Sequence, residues 1–372
     1  MLAGGALTQS GAIKAATLTA TTANTVAITL TNTGNDSAIV NLQARTGTVA
    51  APGTVNANVA VQYTDANGFA ISGINNGASG TVGAVTLAAG GSITQTGAVN
   101  AATLAATLTG SASALNLGTQ TNNVVQLNTI TAPGGFALTN GNNSVTVAGN
   151  VTATNSAVSI DAGTGAYNQN TSIDLSAGTG AITVIADTVA INTVNAGSNA
   201  FTTSGTLTLK PKTAGQAMSI AGASAFDIST AEITAFSTGA TGPIVVGDIA
   251  STGVLTIGAA VNLAGKTLTL NAGSVTDAGT QTITATNVTL NANGQIGTSN
   301  ANGIDIAATN LSVITNGNAN AVVRTGAVNL GVGASASSVG SGTLDLTATG
   351  AVTQTSGTGN ITAGTLTHQS RT

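Results

Sequence analysis

The most constraining feature of this sequence is a six-residue phrase that returns five times. Each copy begins with Ile or Val, has Ala two places later, and ends with Leu or Val three places after the Ala. The copies are Ile13–Leu18, Val99–Leu104, Ile283–Val288, Ile306–Leu311 and Ile361–Leu366. Repeated units of this kind bury their apolar faces on one another, so an internal repeat decides the architecture before any single residue does. The repeat predicts a solenoid.

Within the phrase, the apolar residues do not all fall on the same face of a straight strand. Side chains alternate between the two faces of a strand, so the first residue and the Ala share a face, whereas the final Leu or Val falls on the other. A corner between the Ala and the Leu turns the Leu inward again. The alternation then resumes, as Leu18 with Ala20 and Leu311 with Val313 indicate. The phrase therefore predicts two short strands joined by a bend, which form one side and one corner of a coil.

The spacing of the copies predicts the number of coils. The first two copies begin 86 residues apart, at Ile13 and Val99, which is longer than one strand–loop unit. At roughly 20–25 residues per coil, the whole chain holds roughly 15–18 coils. No linker or composition shift interrupts it. We therefore predict an all-β fold, a parallel β-helix (solenoid) that forms a single continuous segment over residues 1–372 and is an internal fragment of a longer repetitive array.

The composition fits a narrow coil. Only 5% of the 372 residues are charged and 2% are aromatic, whereas 42% are hydrophobic, mostly small or branched aliphatic residues. Such a chain lacks the high charge and low hydrophobicity of a disordered segment. It is also poor in the large side chains that fill a thick core. Stacked coils need only small and β-branched residues inside, because each layer packs on the next.

One segment has the signature of a helix. Ser229-Thr230-Ala231-Glu232 is a capping box, in which Ser and Glu side chains satisfy each other's backbone N–H groups, and Ile228 and Ile233 flank it as a hydrophobic staple. We predict one short helical excursion near 229–236.

Several classes of site are absent from the sequence. There are no cysteines, so disulfides and thiolate–metal sites are excluded. No apolar run approaches the ~20 residues of a membrane-spanning helix. The net charge is only −4, and the basic residues are scattered apart from Lys210-Pro211-Lys212, which we interpret as solvated loop residues. Nucleic acid is therefore not predicted as a partner.

The ionisable residues do not predict chemistry. The eleven acids include no pair at the spacing that places two carboxylates on one face of a strand, and most adjoin Gly, Ala or Asn in expected turns. The sole histidine, His368, has no Cys or recognisable Ser–His–Asp arrangement. We predict no catalytic residue, no cofactor-binding residue, no metal ligand and no cofactor, and we predict that the chain is not an enzyme.

Longer stretches resemble a known family. Gly91–Leu104, Gly294–Thr298 with Ile304–Val313, and Leu207–Asp248 resemble repeats of filamentous-haemagglutinin-like proteins. These are large exoproteins of Gram-negative bacteria, exported by two-partner secretion or as autotransporter passengers. The resemblance implies a right-handed parallel β-helix that serves as the shaft of a surface adhesin. The family's secretion module, with its Asn-Pro-Asn-Gly turn, has no counterpart here, and no binding residue can be transferred.

The leading functional prediction is a non-catalytic shaft segment of a secreted bacterial surface adhesin, used in cell adhesion, biofilm or host attachment and located outside the cell or on its surface. The expected partners are an outer-membrane secretion transporter, a ligand on a host or neighbouring cell, and the end-to-end continuation of its own repeat array. No membrane span is expected.

Two alternatives remain open. A β-helical polysaccharide lyase or hydrolase is favoured by three or more charged side chains in one groove. An ice-binding or self-assembling surface-layer module is favoured by a flat, regularly spaced face, for which the Thr-x-Thr pairs such as Thr267/Thr269 are candidates.

Overall fold

The chain is an all-β parallel β-solenoid of about 15 turns, and the part of it that the structure describes contains one short helix. The computed structural model describes residues 1–51, 53, 58–75, 83–192, 199–332, 336–354 and 360–370. This architecture confirms the predicted fold class, and the number of turns agrees with the lower end of the predicted range. The right-handedness implied by the family resemblance stays a prediction.

The regular elements of the described residues are short strands and one helix. In chain order the strands are β1 Leu2–Ala3, β2 Lys14–Thr22, β3 Ile28–Leu30, β4 Asp36–Ala44, β5 Val61–Asp65, β6 Phe69–Ile74, β7 Ala84–Ala89, β8 Ile93–Gln95, β9 Asn100–Leu108, β10 Leu115–Leu117, β11 Asn123–Thr131, β12 Phe136–Thr139, β13 Val145–Val147, β14 Val151–Thr152, β15 Val158–Asp161, β16 Ala166–Gln169, β17 Leu175–Gly178, β18 Ile182–Ile185, β19 Thr188–Ile191, β20 Phe201–Thr203, β21 Leu207–Lys210, β22 Met218–Ile220, β23 Phe226–Ile228, β24 Ile244–Val246, β25 Val254–Ile257, β26 Val261–Ala272, β27 Ser274–Asp277, β28 Thr282–Ala292, β29 Ile304–Thr315, β30 Ala321–Thr325, β31 Val328–Leu330, β32 Ser337–Ser338, β33 Thr343–Ala348, β34 Val352–Gln354, β35 Ile361–Thr362 and β36 Thr365–Ser370. The helix α1 spans Thr230–Ser237.

The described residues form two compact units. Unit 1 holds residues 1–184 and 199–203, and unit 2 holds residues 185–192 and 204–370. The prediction of one continuous segment over 1–372 concerns how the units are joined, and it stays a prediction.

The core of unit 1 consists of files of apolar side chains, one residue from each coil. One file, given by the strand register, runs through Leu30, Tyr63, Leu87, Ala106, Ile130, Val151, Leu175 and Phe201. Every member of this file is buried. Full burial of an aliphatic or aromatic side chain contributes roughly 1.5–3 kcal/mol, so the stacked files supply the main stabilisation of the narrow coil.

In unit 2, copies of the repeated phrase lie directly on one another. Strands β28 and β29 pair in register, which places Ile283 beside Ile306 and Val288 beside Leu311. The preceding strand β26 extends the same files with Val261 beside Ile283. The repeat therefore reflects a physical requirement, because each inward residue packs on its counterpart one coil away.

The predicted corner occurs at the fourth residue of the phrase. In β29, Ala308 and Leu311 are both buried, and the two residues between them, Thr309 and Asn310, point away from the core. The pairing of β28 with β29 skips Thr309 and then continues in the same register. The prediction of two separate short strands is therefore wrong for this copy: one strand bends and continues, because its neighbour bends at the same position.

The capping box is confirmed. Ser229 caps α1, its hydroxyl accepts the Glu232 N–H at 3.2 Å, and Glu232 Oε2 accepts the Ser229 N–H at 2.7 Å. The other carboxylate oxygen of Glu232 accepts the N–H of Ile191, at the end of β19. The same buried carboxylate thus begins the helix and holds a strand that lies 41 residues earlier in the chain.

Candidate functional site

Most carboxylates in the described residues hold turns together. Six aspartates accept backbone N–H groups from residues shortly beyond them or from a facing loop; they are Asp65, Asp161, Asp187, Asp227, Asp248 and Asp277. A carboxylate that accepts turn N–H groups offsets the loss of regular hydrogen bonding where the chain reverses direction.

One cluster of three charged side chains stands out in unit 2. Arg324 on β30 and Asp305 on β29 are register neighbours on adjacent coils. Their side chains form a two-pronged ion pair, with Nε 2.7 Å from Oδ1 and Nη2 2.7 Å from Oδ2. Asp277, at the end of β27, interacts electrostatically with both. A polysaccharide-acting enzyme would be favoured by three charged side chains in one groove; of this cluster, Asp305 and Arg324 line a common groove.

Every N–H donor of the Arg324 guanidinium forms a hydrogen bond within the protein. Besides its two bonds to Asp305, Nη1 donates to the carbonyl oxygens of Asn300 and Ala301, at 3.1 and 2.9 Å, and Nη2 donates to that of Gly279 at 3.3 Å. These bonds use all five N–H donors that a guanidinium has. Arg324 is also 92% buried, since its relative exposure is 8%. It therefore ties loops to the sheet and has no donor left for a substrate.

Asp277 lies beside this ion pair, and its oxygens accept backbone N–H groups. Burial raises the pKa of its carboxyl group, whereas hydrogen bonds from the N–H groups of Gly279 and Gln281 act in the opposite direction. General acid–base catalysis needs carboxyl groups that can exchange protons with a bound substrate. Both oxygens of Asp305 are bonded to Arg324, and the oxygens of Asp277 face backbone amides. The cluster is built as a structural anchor.

Two neighbouring grooves run beside this cluster. The smaller, of about 240 Å³, is lined in part by Asp305 and Arg324. The larger, of about 670 Å³, lies along the bend of the repeated phrase and is lined mainly by Ala, Gly and Thr residues, among them Thr286 and Thr309. All seven aromatic residues of the chain, five Phe and two Tyr, are buried. The grooves consequently lack an aromatic platform on which a sugar ring could stack.

A second ion pair joins the end of strand β21 to the loop after β24 in unit 2. Lys210 Nζ lies 2.6 Å from Asp248 Oδ2, and the hydrogen bond from Lys210 holds the pKa of Asp248 below its usual value. The interpretation of Lys210 as a solvated loop residue was wrong, because it ends strand β21 and its side chain is only 28% exposed.

The outer face of unit 2 carries a ladder of side-chain hydrogen bonds that runs from coil to coil. Asn287 donates to Thr267 at 2.8 Å, Asn310 to Asn287 at 2.7 Å, and Asn329 to Asn310 at 2.9 Å. We name these three asparagines the amide ladder. Asn287 and Asn310 are the fifth residues of two copies of the phrase. This shared position in the phrase could have predicted the amide ladder from the sequence, but the prediction was not made.

In unit 1, some asparagine side chains are instead buried, Asn122 and Asn140 among them. Asn122 is 1% exposed, and its Nδ2 group donates to the carbonyl oxygens of Leu117, Gln120 and Thr139 at 2.8–2.9 Å. Its Oδ1 accepts the Val99 N–H at 2.9 Å. One side chain thus satisfies backbone groups from several turns.

Unit 1 also has a file of small, mostly hydroxylated side chains on an outward face. The register places one in each coil: Thr64, Ala88, Thr107, Thr131, Thr152, Ser176 and Thr202. Successive members are separated by one strand spacing of ~4.8 Å. Regular spacing is one of the two features, besides flatness, that would favour an ice-binding or self-assembling module.

The remaining candidates do not form a site. His368 is exposed and pairs in register with Leu346 on the neighbouring strand. Among the described residues, no group of three or more His, Cys, Asp or Glu side chains is placed to hold a metal ion. No helix in the described part of the chain combines the length and apolarity needed to span a membrane.

Comparison with protein-family models, with curated proteins and with solved structures found no match. The class of the protein is therefore defined by its own structure: it is a β-helix repeat protein.

Proposed function

We propose that this chain is a non-catalytic structural segment of the shaft of a large secreted bacterial surface adhesin. The observation that carries the proposal is the match between coils: apolar files inside, and the amide ladder outside, join each coil to the next at the same positions. Such a body can be lengthened by whole coils without a new core, which is what a shaft that projects a distal binding region requires.

The chemistry of the surface supports the same proposal. The donors of Arg324 are all used within the protein, the aspartates serve turns, and the aromatic side chains are buried. A scaffold needs its polar groups for its own loops, whereas a binding or catalytic face keeps some of them for its ligand. Secretion, a location on the cell surface, and attachment to a host or neighbouring cell belong to this proposal through the family resemblance.

A coil-insertion experiment tests the shaft proposal. A second copy of residues 283–305 is inserted between Asp305 and Ile306, with Asp305→Asn in the first copy so that carboxylates do not stack. Because Ile283 and Ile306 occupy equivalent register positions, the inserted segment is one complete coil. We expect the full-length chain to stay soluble, to keep its β-type circular dichroism, and to melt within about 3 °C of the unmodified chain.

The matched control inserts only residues 283–294, which end in mid-coil. This insertion shifts every later inward residue out of register, so we expect a large loss of stability. If the whole-coil insertion is as disruptive as the half-coil insertion, the fold does not tolerate extension and the shaft proposal fails.

The second candidate function is cleavage of a polysaccharide, and the cluster of Asp277, Asp305 and Arg324 beside a groove favours it. The full chain is incubated with neutral and acidic polysaccharides, and new reducing ends and unsaturated sugar products are measured. The shaft proposal predicts neither product. If the chain cleaves a polysaccharide and Asp277→Asn abolishes that cleavage, the enzyme hypothesis replaces the shaft proposal.

A further inference from the structure

Six Asn–Gly pairs occur in the sequence, and the structure describes five of them. They are Asn67–Gly68, Asn140–Gly141, Asn293–Gly294, Asn302–Gly303 and Asn316–Gly317; Asn76–Gly77 lies outside the described residues. An asparagine followed by glycine can cyclise, because no Cβ shields the glycine nitrogen from the side-chain amide carbon. The reaction needs the amide and the following N–H to be free to approach each other. Their surroundings therefore decide which pair reacts.

Asn293 is protected at both reacting groups. Its Nδ2 donates to the carbonyl oxygens of Ile249 and Ser251, at 2.9 and 2.8 Å. The N–H of Gly294, which would have to attack, donates to the Gly273 carbonyl at 2.6 Å. Cyclisation must first break these three bonds.

Asn140 is protected by burial. Its side chain has no exposed surface, Nδ2 donates to the Val124 carbonyl at 2.9 Å, and Oδ1 accepts the Val124 N–H at 2.7 Å. Water, which the reaction also consumes, does not reach it.

Two pairs are intermediate. Asn67 is exposed but donates to Asp36 Oδ1 at 3.2 Å. Asn316 is exposed, and its Nδ2 donates to the amide oxygens of Asn291 and Asn293 at 3.0 and 3.3 Å.

Asn302 differs from the other four. It is exposed, and neither its side-chain amide nor the Gly303 N–H has a hydrogen-bond partner among the described residues. Its backbone is nevertheless anchored, since its N–H donates to the Ser299 carbonyl at 2.9 Å and its carbonyl accepts the Thr298 N–H at 3.1 Å. The Asn302 side chain is thus exposed and unpartnered, and Gly303, although buried, has no N–H hydrogen bond among the described residues that cyclisation would have to break.

We propose that Asn302 is a site of spontaneous, water-dependent deamidation. The Gly303 nitrogen loses its proton to solvent and attacks the Asn302 Cγ; a new C–N bond forms, the Cγ–Nδ2 bond breaks, and the Nδ2 group leaves as ammonia after taking up a proton. Water then adds to either carbonyl of the cyclic imide and opens it to aspartate or isoaspartate. The product carries a new negative charge, and the isoaspartate form inserts one methylene into the backbone just before β29.

Deamidation of Asn302 would place its new charge next to residues that Arg324 holds. Arg324 donates to the carbonyl oxygens of Asn300 and Ala301, which directly precede Asn302. The new charge arises in the loop that this guanidinium holds to the sheet. Deamidation would therefore mark the age of the molecule at a loop that Arg324 anchors, independently of what the shaft carries.

Peptide mapping by mass spectrometry tests the proposal. The folded full-length chain is incubated at mildly alkaline pH, and conversion is followed at each Asn–Gly pair. We expect Asn293 to convert on the order of 100-fold more slowly than Asn302, because three hydrogen bonds must open and each is worth roughly a fivefold change in an equilibrium constant. Asn140 should be equally slow, and the rate at Asn302 should rise with pH.

The same chain unfolded in denaturant is the control. There the local protection is lost, so the rates of all the pairs should converge. The variant Asn302→Gln should remove the early product, because the longer side chain forms a larger ring much more slowly, and it leaves the Gly303 backbone unchanged. Conversion of Asn293 or Asn140 as fast as Asn302 in the folded chain would overturn the proposal. An unmodified Asn302 after the unfolded pairs have converted would also overturn it.

Discussion

Asparagine serves different purposes in the two units. In unit 1, Asn122 and Asn140 are buried and bond mainly to backbone groups of particular turns. In unit 2, Asn287, Asn310 and Asn329 bond to one another at the surface, one per coil. A buried amide fixes the local path of the turn whose backbone groups it bonds. A stacked amide is interchangeable, so the amide ladder can grow with the number of coils. The difference predicts very different sensitivities to substitution.

The largest effect is expected in unit 1. Asn122→Ala leaves the carbonyl oxygens of Leu117 and Thr139 and the N–H of Val99 without their side-chain partner inside the protein. We expect the free energy of unfolding to fall by roughly 3–5 kcal/mol, because each buried polar group left unsatisfied is costly. Urea unfolding followed by far-UV circular dichroism measures it. The neighbouring exposed Asn123→Ala is the control and should change stability by less than about 0.5 kcal/mol. Equal effects would remove the distinction between buried and surface amides.

The next effect concerns the charged anchor of unit 2, which is buried like Asn122 but lies among surface loops. Arg324→Met removes five hydrogen bonds and leaves Asp305 without its ion-pair partner. We expect a loss of about 3 kcal/mol, since breaking one side of a buried pair strands the other charge. The double variant with Asp305→Asn should recover part of that loss. If the double variant is less stable than Arg324→Met alone, the anchor does not work through this pair.

A smaller effect is expected in the amide ladder. Asn310→Ala removes the bonds to Asn287 and Asn329. Both are near solvent, which can replace the lost partners, so we expect a loss of about 1 kcal/mol. Asn310→Thr should be close to neutral, because Thr267 and Thr353 occupy equivalent positions at the two ends of the ladder. A loss as large as that of Asn122→Ala would show that stacking, not burial, makes an amide indispensable.

The smallest effect is expected at Asp174 of unit 1, whose Oδ1 is buried and has no hydrogen-bond partner among the described residues. Burial raises its pKa above the ordinary 3.8, and a hydrogen bond from Thr202 only partly opposes this. The folded state therefore holds the proton more tightly than the unfolded state. This contribution to stability is complete below about pH 3.8 and is lost as the pH rises through the folded pKa.

Asp174→Asn removes that pH dependence. At neutral pH we expect the variant to be more stable by about 0.5 kcal/mol, allowing for the partial exposure of the group, and at pH 3 we expect no difference. Unfolding of both proteins across this pH range provides the measurement. A variant that is less stable at pH 7 would contradict the assignment of an uncompensated carboxylate.

The fold could be predicted because its signals are local. The change of phase between Ala308 and Leu311 is visible in six consecutive residues, and it forces a bend wherever both residues are inside. The capping box is equally local, since Ser229 and Glu232 are three residues apart. What was missed is that the strand runs through the bend, because this depends on the neighbouring coil bending at the same place.

The polar contacts could not be predicted in the same way. Asp305 and Arg324 pair across 19 residues, whereas Ile283 and Ile306 pair across 23. Because the turns differ in length, outward residues on adjacent coils cannot be matched by a constant spacing. The apolar files can still be recognised, because the alternation along each strand identifies the inward residues. A single charged residue belongs to no such alternation, so its partner on the next coil cannot be found from the sequence. The hydrogen bond that the Ile191 N–H donates to Glu232 is even harder to predict, because it joins the helix to a strand far upstream.

The two units differ in the fluorescent side chains that they contain. It has no tryptophan, and its two tyrosines, Tyr63 and Tyr167, both belong to unit 1. Tyrosine emission will accordingly register the opening of that unit alone, whereas backbone ellipticity sums over both. Superimposable melting curves from the two signals indicate that the molecule opens in one cooperative event, and curves that separate indicate two.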